Sequence, residues 1–308
     1  MKVEAGDGSD VALSVIIAGR NAPQIVECLN ALYPQAQTTP TEIIVADSSD
    51  DGTDEAVRRR FPDIRLLHFS DPLTLPVLRS KAIALARGDV IAILDAFSIV
   101  ADNWVSEVLR AHRERPNLAI GGGVELYDAS KQDLFNWAVY INEYGMFMPP
   151  QPASELDILP GSNISYKRTA LFESGKPKHD VYWKTFVNKE LEAAGHPLWL
   201  EPNVLVRLKK PIPIGDFFRT RYHHGRCFAG MRGATLGPAR RFVHAITFPV
   251  LPFLFIWRWG SKYWMKRRYR SKFIATLPLQ FLLFGSWSVG EFVGYLLGPG
   301  NSCEILYY

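Results

Sequence analysis

Cysteine is scarce in this chain: 308 residues hold three, Cys28, Cys227 and Cys303, none at a paired spacing. That excludes a thiolate zinc site and a disulfide framework, and it predicts a reducing compartment. The opening MKVEAGDGSD has no apolar core, so no secretory signal is expected there. No Gly-x-Gly-x-x-Gly follows the first apolar run, where the chain reads AGRNAP, which argues against a dinucleotide-binding dehydrogenase. Acidic residues nearly vanish toward the rear. Residues 207–308 hold three Asp/Glu against 16 Lys/Arg (net +13), whereas residues 1–206 hold 28 against 19 (net −9). The basic charges flank apolar runs such as FPVLPFLFIW and LPLQFLLFG, which favours anionic membrane lipids as partner and no nucleic acid.

What is present in the front is an alternation. Apolar, β-branched runs at Leu13–Ala18, Glu42–Ala46, Ile64–Phe69 and Val90–Leu94 read as strands. Between them Ala22–Leu32, Asp54–Phe61 and Leu75–Ala86 read as helices, so the pattern predicts a doubly wound, mostly parallel sheet. A helix from Trp104 to about Arg113, a strand at Leu118–Val124 containing GGG, a helix at Val187–Ala194 and a strand at Trp199–Val206 follow. Residues 127–160, aromatic and proline-containing, are too long for a plain connection and predict a functional loop or small subdomain. Its aromatics at 135–148 either stack on sugar rings or form a buried core. In the rear, apolar segments 242–257 and 273–298 flank the basic, aromatic RWGSKYWMKRRYRSK. The first, with Pro249 and Pro252, is too short for a simple span and is expected at the membrane interface. The second is long enough to cross.

Ligands of such sheets bind beyond the carboxyl ends of the strands. Those ends carry Gly19-Arg20-Asn21, the acidic turn Asp47–Thr53, and Asp95. A carboxylate there can accept hydrogen bonds from a nucleotide's base or ribose, while Arg79 can offset phosphate charge. Asp47 and Asp51 also have a local reading, as Asx-turn and helix-capping residues.

In order along the chain, LSVIIAGRNA, EIIVADSSDDGTDE, LRSKAIALARGDVIAILDAFSIVADNW, LPGSNISYKR and GEFVGYLLGPG resemble the blocks of a family 2 glycosyltransferase of GT-A fold, membrane-attached type. The resemblance covers most of residues 13–300. It implies a GT-A domain at 10–235 and a membrane-associated helical region at 236–308. It further implies transfer of a sugar, with inversion, from a nucleoside diphosphate sugar to a lipid-linked or envelope-glycan acceptor, at a bacterial cytoplasmic membrane with the N-terminal domain in the cytosol. Asn21, Asp47, Asp51, Arg79 and Asp95 would hold the donor, and Gly161, Asn163 and Arg226 the acceptor or a phosphate. An interfacial role for Arg226 stands beside that one.

The departures are specific. The family's metal-binding Asp-x-Asp falls at Asp95-Ala96-Phe97, so a divalent ion (Mn or Mg) would find Phe97 where its second carboxylate belongs. Where many members carry Glu-Asp as general base, this chain reads Tyr182-Trp183-Lys184-Thr185. Asp180 and Glu190 lie near in sequence but match no motif, and the base stays unassigned. A catalytically inactive relative serving as membrane scaffold or glycan-binding partner is the alternative these departures favour.

Overall fold

The computed structural model describes residues 11–209 and 214–305. In chain order the first elements are β1 (Leu13–Gly19), α1 (Ile25–Ala36), β2 (Thr41–Asp47), α2 (Thr53–Arg60), β3 (Arg65–His68), α3 (Leu75–Ile83), β4 (Val90–Asp95), β5 (Ser98–Val100), α4 (Trp104–Glu114) and β6 (Ala119–Leu126). There follow α5 (Leu134–Tyr144), β7 (Ser154–Glu155), β8 (Asn163–Lys167), α6 (Arg168–Leu171), β9 (Phe172–Glu173), β10 (Lys176–Pro177), α7 (Lys184–Ala193) and β11 (Trp199–Leu208). Four helices end the chain: α8 (Ile214–Ala234), α9 (Pro238–Ile246), α10 (Leu251–Met265) and α11 (Arg270–Leu297). Two compact units result, one from residues 11–127 with 149–209 and one from 128–148 with 214–305. α5 and α8 pack on α11 and belong with the rear helices.

In the first unit the sheet runs β3-β2-β1-β4-β8-β6-β11-β5, with β7 paired to β11. β1 and β4, buried along their whole length, are apolar on both faces because helices cover both sides of the sheet. β3, β2, β1 and β4 are mutually parallel, as the alternation predicts. The other half is mixed. β8 runs antiparallel to both β4 and β6, and β5 and β7 are antiparallel to β11. α4 turns Trp104, Val105, Val108, Ala111 and His112 inward, a helical stripe against the sheet.

The GGG run has a packing reason. A Cβ on Gly122 would overlap the Val204 carbonyl oxygen and the Asn163 amide. Asn163 is buried, donating to the Gly123 and Val204 carbonyls (3.0 and 2.7 Å) and accepting from Trp104 Nε1 (3.0 Å). Its side chain clamps β8 to β6 and β11 across the core.

His112 is buried with Nε2 2.8 Å from Ser165 Oγ, and burial pushes its pKa down from 6.5 to about 3. The unfolded chain thus binds a proton that the folded one refuses between those values. Stability contributed by this residue is full above pH 6.5 and falls as pH drops toward 3. His112→Gln is expected to flatten melting temperature against pH between 4 and 6.5; an unchanged slope would contradict this.

In the second unit, Phe135, Ala138, Val139, Phe217 and Leu283 form one core and Ala229, Ala245 and Tyr295 another. The aromatics at 135–148 are core residues here: Phe135, Trp137, Tyr140 and Phe147 are all buried. α8 and α11 meet backbone to backbone, since side chains on Gly225 and Gly290 would overlap the Trp287 and Tyr222 carbonyls. Gln280 on α11 donates to the Ala138 carbonyl (2.7 Å) and accepts from Asn142 (3.1 Å). Arg221 bonds Asn142 and pairs with Glu143 at 3.3 Å. Cys227 and Cys303 form a disulfide, contrary to the expectation of none. Their separation of 76 residues hid it, because α11 doubles back along α8 and returns the chain end to Cys227. Cys28 alone is free, buried in the first unit with its thiol pushed up to about 12.

Among the described residues, α11 is the one helix long and apolar enough on its own to cross a membrane. α9 and α10 meet at a 73° bend, so 242–257 forms no straight span. Large apolar side chains stand exposed here, including Phe242, Phe253, Trp257, Phe281 and Leu297.

Candidate active site

Three neighbouring strand ends build the site. Parallel register sets Gly19 of β1 beside Asp47 of β2, and Ala18 beside Asp95 of β4. Asp47 is 1% exposed and fully engaged: its carboxylate accepts from the Ser49 hydroxyl (2.5 Å), the Ser49 amide (3.0 Å) and lies 2.8 Å from His68 Nδ1. Asn21, at φ +50°, clasps the same turn, its amide donating to Asp50 Oδ1 (2.8 Å) and accepting from Asp50 N (3.0 Å). Asp51 is exposed and accepts from Thr53 N at 3.0 Å, the local capping role the sequence offered beside the donor-binding one. Gly52, at φ +81°, completes this turn into α2.

Arg79 on α3 reaches Asp95, with Nη2 2.5 Å from Oδ1. Both side chains are largely buried, at 15% and 12% exposure, so the pair is poorly screened by solvent. Arg79 Nε is also buried and makes no hydrogen bond. Ser80, next along α3, accepts from the Tyr182 amide at 2.5 Å. The Tyr182 hydroxyl lies 3.0 Å from that of Tyr166, which donates to Asn188 at 2.8 Å. Burial raises both phenols well above their usual range, so they stay protonated.

The segment before β8 closes the far side. Ser98 Oγ donates to the Ser162 carbonyl (3.2 Å), beside the end of β4. Lys184, first residue of α7, donates from Nζ to the Leu159 carbonyl at 2.6 Å, and a Cβ on Gly161 would lie 3.9 Å from that Nζ. Gly161 therefore leaves room beside a cation. Lys184 is the residue sequence reasoning missed; its only signal was its position where the family's acidic pair belongs.

The remaining candidates fall elsewhere. Asn163 does not shape the acceptor side through its side chain, which the core clamp consumes. Asp180 is exposed, and Glu190, exposed on α7, pairs with His179 at 3.0 Å. Arg226 belongs to the second unit, where it donates to the Gly298 carbonyl at 3.3 Å. A separate cavity of about 810 Å³, lined by Asp102, Glu107, Glu125, Asn203 and Arg207 among others, contains none of these residues.

The residues at β4 do not fit a divalent metal. Asp95 is held by a guanidinium, and Phe97 brings no ligand atom. Ligand atoms of Asp47, Asp54 and His68 lie within 4.8 Å of one another, but hydrogen bonding already accounts for the Asp47 carboxylate and its His68 partner.

A parallel half-sheet with polar strand ends, joined to a mixed half through a reversed strand, is the GT-A architecture. Residues 14–172 match the model of glycosyl transferase family 2, and the chain belongs to that family. Over 150 residues it is 28% identical to the glucosyl-dolichyl phosphate glucuronosyltransferase of Haloferax volcanii, a stretch covering 46% of this chain and 47% of that protein. The chain thus aligns with about half the length of this curated relative. A mannosyltransferase from Pyrobaculum calidifontis, solved in complex with GDP-Man and Mn2+, shares the fold, with a TM-score of 0.54 over 92% of this chain and 88% of that one at 18% identity.

Proposed function

We propose that this protein transfers a sugar, with inversion, from a nucleoside diphosphate sugar to a lipid-linked or envelope-glycan acceptor on the cytosolic face of a cytoplasmic membrane. The observation carrying this reading is the Arg79–Asp95 pair beside Asp47, at adjacent parallel strand ends. Asp47 would act on the base by holding the Ser49 turn in place, Asp51 and Asn21 would border the nucleotide, and Arg79 would offset charge on the departing diphosphate. The name of the Haloferax relative, a transferase acting on a lipid-linked sugar, supports the acceptor class. α11 and the apolar faces of α9 and α10 suit membrane attachment, with the basic 258–272 segment on anionic headgroups.

The test is a screen of the purified, detergent-solubilised chain against nucleoside diphosphate sugars, read as nucleoside diphosphate release with and without polyprenyl-linked acceptors. Asp47→Asn keeps size but replaces one acceptor oxygen with a donor, and is expected to weaken nucleotide binding by about 1–3 kcal/mol in a folded protein. Unchanged calorimetric affinity would remove Asp47 from the donor site. A second reading, an inactive membrane scaffold, draws on Phe97 and on the lack of any acidic residue in the first turn of α7. Donor binding without turnover on any acceptor or on water would favour it.

A further inference from the structure

α11 is long and apolar enough to cross a bilayer, but its two faces differ. Thr276, Gln280, Ser288 and Glu291 are buried on one, where Gln280 bonds α5 and Glu291 pairs with Arg232 of α8. Ile274, Phe281, Leu282, Val289 and Leu296 are exposed on the other. Their spacing returns to a single side of a 3.6-residue helix and draws an apolar stripe about 33 Å long.

α11 does not stand alone. α8 runs beside it in the same direction, with Phe218 meeting Ser286, Tyr222 meeting Gly290 and Gly230 meeting Pro299. A crossing α11 would therefore draw α8 into the hydrocarbon with Arg219, Arg221, Arg226 and Arg232. Arg219 is exposed, and charged side chains at bilayer depth are costly. Lying flat avoids that cost.

The neighbouring helices extend the stripe. The Phe253 ring of α10 lies 5.1 Å from that of Phe281, and Phe248, after α9, lies 4.8 Å from Phe292. α9 exposes Phe242, Val243 and Ile246, and α10 exposes Leu254 and Trp257 beside Phe253. Exposed Arg240 on α9, Arg258 on α10 and Arg267 just before α11 add positive charge to the same helices. A continuous apolar face with basic side chains among its helices is complementary to an anionic lipid surface, whose headgroups take the charge while its acyl chains take the rings.

We infer that α11 does not cross the membrane: α9, α10 and α11 lie together in one leaflet of an anionic bilayer, with both ends of α11 on the same side. This rests on the membrane-attachment reading above and not on the transfer chemistry.

The experiment places single cysteines at the two exposed ends of α11, Ser271→Cys and Asn301→Cys, in the full chain. The parent, whose cysteines are buried or bonded to each other, sets the background. Membrane vesicles of known orientation from the expressing cells are treated with an impermeant maleimide. Both positions are expected to label from the same side. Labelling from opposite sides would show that α11 crosses and would overturn the inference while leaving membrane attachment standing. Flotation of the purified chain with vesicles supplies the second readout. Vesicles containing phosphatidylglycerol are expected to bind it at least about tenfold more tightly than pure phosphatidylcholine, and Arg267→Gln to weaken that binding about fivefold. Equal binding to both lipids would refute the anionic partner. A chain that binds neither lipid but forms a dimer in dilute solution would assign the apolar face to a second copy, and both the inference and the attachment reading would fall.

Discussion

Arg79→Met is expected to lower transfer by about 10²–10³-fold, the loss typical when a preorganised donor to developing negative charge is removed. Two consequences combine. A departing diphosphate at the end of β4 would lose the Arg79 charge, and Asp95, only 9% exposed, is left as a buried carboxylate without its 2.5 Å partner. Arg79→Lys keeps the charge but surrenders the planar fork, so it should recover part of the rate. The check is kcat/KM for nucleoside diphosphate release in variants whose melting temperatures show them folded. A methionine variant within threefold of the parent would remove Arg79 from the chemistry.

The second large effect concerns folding. Gly122→Ala would drive a methyl group into the Val204 carbonyl and the Asn163 amide, both fixed by the β6–β8–β11 hydrogen bonding. Neither neighbour can move without breaking the clamp that also satisfies Trp104 Nε1. The expected cost is about 3 kcal/mol, which lowers the melting temperature by roughly 6–12 °C in a domain of this size. Gly285→Ala is the matched control. It lies within α11, where a Cβ meets nothing within 4 Å, and should be neutral or slightly stabilising. Thermal melts that show equal shifts for the two would refute the packing account.

The legible part of the fold is the part whose signals are local. β1, β2 and β4 announce themselves as unbroken apolar runs because both their faces are covered, and their observed bounds extend the expected ones by a residue or two. The placement of Asp47 and Asp95 at neighbouring strand ends was legible from the same runs, and Arg79 reaches Asp95 from α3. What stayed hidden depends on long-range pairing. Nothing local in NISYK says that it enters between β4 and β6 in the reverse direction. Asn163 reads as a site residue in its motif, yet its partners at Gly123 and Val204 lie some 40 positions away. The same holds for α5, whose partner α11 lies at the other end of the chain, and for the Cys227–Cys303 bond. Lys184 was visible but read only as a missing carboxylate. Its meaning depends on Gly161 and Leu159 standing beside it.

Arg79, paired with Asp95 two positions before Phe97, would do the charge compensation that an Asp-x-Asp metal would do elsewhere. The most direct measurement is nucleoside diphosphate release by the wild-type chain in EDTA, followed by Mn2+ restored in excess. The account predicts that activity persists in EDTA and changes little when Mn2+ returns. Complete loss in EDTA with full recovery on Mn2+ would contradict it.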